Sequence, residues 1–221
     1  MTSRPSAGAS RSAIWMVVLL VGGYIFAQVL ADISATKIVS IFGYAVPAGT
    51  LVFALTFTLR DMIHKRLGLE WARVSILAAG GLNLVMALYL SFVAALPSPP
   101  FYQFQEEWAA IFAFVPRIVL ASITAEVVSE LIDGEVYSYW KRRFGGAPQW
   151  TRVAVSNGIS LPIDSIIFVT LAFGGSLPLP DLLFLMWGQV VIKAIITVVS
   201  VPAIYLVRED RQVVFIESKA E

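Results

Sequence analysis

The amino-acid sequence predicts an all-α membrane protein, a six-transmembrane-helix bundle with both termini cytoplasmic. Three observations carry that expectation. The 221-residue chain is 58% hydrophobic and only 14% charged, with a mean hydropathy of +0.79; soluble domains run at about 45–50% apolar and about 25% charged. Six runs approach the roughly 20 mainly apolar residues that a bilayer-crossing helix needs. Lysine and arginine then alternate between the segments joining those runs, as the positive-inside rule requires of an even number of crossings.

Met1 to Arg11 is small and polar, so residues 1–11 are expected as a disordered cytoplasmic tail. The first span, Ser12–Ala31, is too long for the apolar core of a cleaved signal peptide and lacks a small-x-small exit. A loop holding Pro47 leads to the second span, Ala48–Lys65, and the third covers Trp71–Leu96. The proline cluster Pro97–Pro100 breaks the chain before the fourth, Trp108–Ile132. Gly145–Pro148 precedes the fifth, Thr151–Phe173, and Gly174–Pro180 separates it from the sixth, Leu182–Val207. Residues 12–207 thus make the transmembrane domain and residues 208–221 a second cytoplasmic tail.

One set of segments holds Arg4 and Arg11, then Arg60, Lys65, Arg66 and Arg73, then Lys141, Arg142, Arg143 and Arg152, then Arg208, Arg211 and Lys219. The opposite set holds only Lys37. Adding or removing one crossing would scramble that asymmetry. Trp15, Trp71, Trp108, Trp140 and Trp150 fall near the span ends, where interfacial belts place them.

Composition also narrows function. With no cysteine, disulfides, thiolate catalysis and cysteine metal sites are excluded, and His64 is the single histidine. No basic block suggests nucleic acid as a partner. The sequence has neither G-x-x-x-x-G-K-[ST] nor H-E-x-x-H nor G-x-S-x-G, so it predicts no ATP hydrolysis, no enzyme activity and no cofactor.

Charges inside the apolar runs point to a polar site instead. Arg117, Glu126, Asp164 and Lys193 each interrupt a span, although a charge at the helix centre costs roughly 2.5–3.5 kcal/mol even on insertion scales. From a rise of about 1.5 Å per residue, Arg117 lies roughly 13 Å into helix four, and Asp164 and Lys193 reach similar depths. An Asp–Lys or Asp–Arg pair there would offset much of the burial cost. Such charges either staple helices together or line a binding cavity. In helix five Asn157, Ser160, Asp164 and Ser165 recur at i, i+3, i+7 and i+8, one polar stripe. Pro162 interrupts the same stretch, and irregular backbone at membrane depth is tolerated where it lines a cavity. Glu126, Glu130 and Asp133 make one face of helix four acidic, Glu126 deepest. Asp61 stands out at the basic end of helix two, where the other charges are expected as headgroup anchors. Tyr24, Tyr89 and Phe168 are deep enough to stack on a planar ligand, with lipid packing as the alternative.

The motifs themselves resemble a family. Trp150-x-Arg152, Ser156, Ile163-Asp164-Ser165-x-x-Phe168 and Ala172-Phe173-x-Gly175 are similar to the W-L-R-N-x-x-S-T-x-x-S-Q-x-x-D-S-x-x-F signature of the queuosine precursor transporters, also called the vitamin uptake transporter family. Ala31-Asp32-x-x-Ala35-Thr36-Lys37-Ile38 resembles its A-N-x-x-A-x-K-I. Thr56-Phe57-x-x-x-Asp61 through Gly68, with Ala72-Arg73, resembles its second-helix motif. Ser129-x-x-x-Asp133, and Lys193 with Pro202 and Tyr205, extend the likeness. The chain departs from the pattern at Asp32, where Asn is usual, and at Arg60, Lys65, Glu130, Val153 and Leu161.

The resemblance implies import of 7-deazaguanine precursors of queuosine, such as preQ0 or preQ1, through a multi-pass protein of the bacterial inner membrane. A carboxylate can accept the adjacent N–H donors of a guanine-like edge, and an ammonium arm on the ligand would want a second carboxylate. The candidate substrate-binding residues are therefore Asp164, Glu126, Asn157, Ser160, Ser165, Arg117, Lys193 and Asp61, with Asp164 or Glu126 available to carry a coupling proton. The expected partners are a small heterocycle and membrane lipid. A secondary or facilitative carrier is the first expectation. The alternative is a substrate-capture subunit of a multi-component uptake system with a separate ATPase module, and homo-oligomers or energising subunits stay open.

Overall fold

The computed structural model of the chain describes residues 7–144 and 149–200. The loop Gly145–Pro148, Arg4, the end of the sixth span, Pro202, Tyr205 and the C-terminal tail lie outside the described residues. The chain runs through α1 (Ala7–Ser34), a hairpin of β1 (Ile38–Ile41) and β2 (Tyr44–Pro47), α2 (Thr50–Leu67) and α3 (Leu69–Ala95). There follow α4 (Gln105–Phe112), α5 (Val115–Arg143), α6 (Gln149–Phe173) and α7 (Leu179–Ser200). α1 begins ahead of the expected Ser12 boundary.

Five stretches are long and apolar enough to cross a membrane: Ile14–Ser34, Glu70–Ala95, Gln105–Asp133, Ala154–Phe173 and Leu179–Ser200. They make this a multi-pass membrane protein. α2 is not among them, because its 18 residues carry Arg60, Asp61, Lys65 and Arg66. It is nonetheless helical over almost the whole of the expected second span.

Two local features differ from the sequence expectation. The first loop is an antiparallel hairpin, registered Ile38 to Pro47 and Ile41 to Tyr44. Its turn residues Phe42 and Gly43 both take positive φ, 50° and 83°, as a tight two-residue turn between right-twisted strands requires. The fold is therefore helical with one small sheet rather than all-α. The fourth span, expected as one helix over Trp108–Ile132, breaks after Phe112 and restarts at Val115. Pro116 explains the restart, since in a first turn its missing N–H leaves no intrahelical bond unmade.

α6 packs along α5 and against α7; α2 touches α1, α3 and α7; and β2 lies on α7. The largest core joins Ile118, Ala121 and Ala125 of α5 to Phe168, Val169 and Ala172 of α6 and Leu185 of α7. The small Ala121, Ala125 and Ala172 let those backbones approach, as at membrane helix interfaces. A tighter contact exists at Gly188, where a Cβ would stand 2.3 Å from the carbonyl oxygen of Ala45. Only glycine lets the hairpin rest on α7 there. Leu77, Val85, Leu88, Phe92, Val198 and Val199 point outward, an apolar exterior suited to lipid.

Candidate functional site

Four helices send a polar row inward at helical spacing. α1 contributes Tyr24, Gln28 and Asp32, and α5 Ser122, Glu126, Ser129 and Glu130. α6 contributes Ser160, Asp164 and Phe168, and α7 Gln189, Lys193 and Thr197. Residues three and four apart share one helical face, so each row meets the others when the helices pack. Asp32 and Ser122 from two of these rows, Asp164 with Phe168, and Gln189 with Lys193 line one small cleft, together with Thr50 and Phe53 of α2.

At its centre Lys193 Nζ forms an ion pair and hydrogen bond with Asp164, each side chain only 1% exposed. The ammonium also lies 4.7 Å from the ring centroid of Phe53 and 5.9 Å from that of Phe168, within cation–π range. Ser129 Oγ donates to the other Asp164 oxygen at 3.4 Å. The pair is thus enclosed by aromatic faces, where loss of either partner would strand a charge. Across the cleft Asn83 Nδ2 of α3 donates to Asp32 at 2.6 Å. Asp32 is 2% exposed. Gln189 donates through Nε2 to Thr50 at 3.4 Å, and its Oε1 is buried without a hydrogen-bond partner.

Glu126 forms a neighbouring arrangement. Its Oε1 accepts from Tyr24 at 2.7 Å and from Gln28 Nε2 at 2.8 Å, which ties α5 to α1 through neutral donors. Further along the same α5 face, Arg60 of α2 pairs with Glu130 and lies 3.6 Å from Asp61. Asp133 accepts from Ser160 Oγ of α6 at 3.2 Å.

Of the residues singled out from sequence, Asp164 and Lys193 face each other in the cleft, and Glu126 adjoins it through Tyr24 and Gln28. Ser165 is buried beside Asp164 with its hydroxyl unpartnered. Ser160 and Asp61 belong to the Arg60 region, and Asn157 is half-buried outside the cleft. Arg117 stands apart. Because α5 restarts at Val115, Arg117 falls in a first turn, level with the end of α6 rather than its middle. There it donates through Nε to the Leu171 carbonyl at 2.7 Å, through Nη1 to Ser176 Oγ at 3.2 Å, and through Nη2 to the Gly174 carbonyl. A cation at a helix C-terminus satisfies orphan carbonyls and complements the helix dipole.

Sequence reasoning named Asp32 only as a departure from the family pattern, and it missed Thr50, Phe53, Asn83 and Gln189 as contributors. A helical signal existed for Asp32 and Gln189: Tyr24, Gln28 and Asp32 repeat every four residues, as do Gln189, Lys193 and Thr197. Of the three aromatics weighed for stacking, Phe168 lines the cleft, Tyr24 holds Glu126, and Tyr89 is 63% exposed.

A family model described as "Putative vitamin uptake transporter" matches residues 47–207. The chain is also 26% identical over 185 residues to the "Probable queuosine precursor transporter" of Bacillus subtilis (strain 168), covering 83% of this chain and 81% of that one. No solved structure matches.

Proposed function

The chain belongs to the vitamin uptake transporter family, and from that premise we propose that it imports a 7-deazaguanine precursor of queuosine across a bacterial inner membrane. The observation that carries this reading is the buried cleft holding an Asp164–Lys193 pair between two phenyl rings. A flat bicyclic heterocycle suits Phe53 and Phe168. Its adjacent N–H donors suit a carboxylate, and the free Gln189 Oε1 offers one more acceptor. Lys193 keeps Asp164 neutralised; a ligand presenting donors competes for the same oxygens, which couples binding to the packing of α6 against α7.

In this reading α2 is the sixth crossing, with both termini cytoplasmic. The lysine and arginine alternation supports that arrangement. The charged end of α2 is half-buried against α5 rather than open to lipid, which makes a crossing by so polar a helix tolerable. The protein acts as a secondary or facilitative carrier. Asp164 and Lys193 contact the substrate, and Glu126 and Ser165 support the cleft from behind. Asn157, Ser160, Arg117 and Asp61 serve by holding helices in place.

Queuosine restoration tests the proposal. Cells unable to make or import the precursor would express the native chain or Asp164→Asn, with low-level precursor supplied outside. Queuosine should return to tRNA with the native chain and not with the variant at equal membrane abundance. No restoration by a well-expressed native chain would refute the substrate assignment.

A further inference from the structure

The cleft holds two carboxylates, Asp32 and Asp164, and one cation, Lys193. Lys193 is committed to Asp164. Asp32 is 2% exposed, the neutral Asn83 amide donates to it, Ser122 lines the cleft with it, and among the described residues no ion pair holds it. Glu126, behind the same wall, also accepts from neutral donors, Tyr24 and Gln28, so it adds no compensating charge. The Arg60 guanidinium is engaged with Glu130 and Asp61. A buried carboxylate without a counter-charge is expensive, and the cost is relieved either by a proton or by a positive charge brought into the cleft, which a cationic ligand supplies.

Other features of the cleft point to a ligand rather than to a charge defect. The buried Gln189 Oε1 has no partner, and an unpaired acceptor there asks for a donor from the occupant. Phe53 and Phe168 lie on different helices, and both attract cations as well as flat rings. We infer that Asp32 makes the cleft selective for a planar heterocycle carrying its own ammonium arm, over a neutral heterocycle of the same ring system. This rests on the import reading above and narrows it. Asp32→Asn removes the charge while keeping the size and a hydrogen-bonding side chain.

Specificity is a difference between two affinities, so one pair of ligands decides the matter. Full-length protein in liposomes would be assayed by exchange, each liposome set preloaded with the ligand offered outside, so that neither an ion gradient nor net charge movement is needed. The two ligands are 7-aminomethyl-7-deazaguanine, cationic at neutral pH, and the neutral 7-cyano-7-deazaguanine. The native chain should exchange the aminomethyl compound about tenfold faster or more at low concentration, and Asp32→Asn should lower that ratio by about tenfold, the effect of one lost charge contact of about 1.4 kcal/mol. Equal or faster exchange of the cyano compound by the native chain would overturn the inference, as would a well-inserted Asp32→Asn protein that keeps the native ratio. Exchange of neither compound would instead overturn the import reading itself. The native chain's ratio decides alone if the variant fails to insert.

Discussion

Two cations of this molecule sit over phenylalanine rings of the same helix and have different fates. Lys193 lies over Phe53 and pairs with Asp164, both side chains 1% exposed. Arg60 lies 5.3 Å from the Phe57 ring and pairs with Glu130 and Asp61, with side-chain exposures of 13%, 25% and 31%. The two rings pack edge to face at 5.5 Å within α2, about one turn apart along its axis. One polar helix thus supports both charged groups. The difference between them is enclosure. The Lys193 pair is shut in, so each charge depends on its partner, whereas the Arg60 group stays partly exposed and divides its charge between two carboxylates.

The comparison breaks most sharply if one enclosed charge is removed. Lys193→Met or Asp164→Asn alone should cost about 3–5 kcal/mol, because an uncompensated charge remains buried. The double change should recover much of that loss while leaving uptake abolished. Thermal unfolding in detergent, with uptake measured beside it, checks both statements. A double variant as unstable as either single one would remove the enclosed pair from the explanation.

Moving the helix that carries Lys193 should have the next largest effect. Gly188→Ala places a methyl group against the Ala45 carbonyl at 2.3 Å, and forced overpacking costs about 1–3 kcal/mol. Reduced unfolding temperature together with reduced uptake is expected; an unchanged protein would mean that the hairpin yields freely. Tyr24→Phe removes the 2.7 Å bond to Glu126, which stands between the two charged groups on α5. A hydrogen bond to a charged group contributes about 1.5–3 kcal/mol, so a similar loss in unfolding free energy is expected, reduced if Glu126 carries a proton. Arg60→Gln should be the mildest, about 1 kcal/mol, since pairs with access to water contribute little. Added salt should narrow the gap between native and Arg60→Gln proteins and leave the Lys193→Met deficit unchanged. Equal salt responses would erase the distinction.

Much of the architecture was legible because membrane insertion acts on a local quantity, the hydropathy of about 20 consecutive residues. Five of the expected spans reappear as apolar stretches long enough to cross. The hairpin was not legible: Ile38–Pro47 is short and apolar, and its turn depends on Phe42 accepting a positive φ, which Asn or Asp would have signalled more openly. The break before Val115 was signalled by Pro116 but outweighed by continuous hydropathy across it. That break puts Arg117 in the first turn of α5, beside the end of α6 and away from Lys193.

By itself the sequence determined the helical membrane class, the family resemblance, and which side chains share a helix face, because each depends on neighbours along one chain. Helical periodicity alone put Asp164 on one stripe with Ser160 and Ser165. Only the tertiary structure decided that Lys193 and not Arg117 meets Asp164, that Asp32 faces the same cleft, and that Gly188 receives the hairpin. Those outcomes depend on how far each helix is rotated and shifted against the next. Ion pairing changes over a few ångströms, whereas hydropathy is averaged over a whole span.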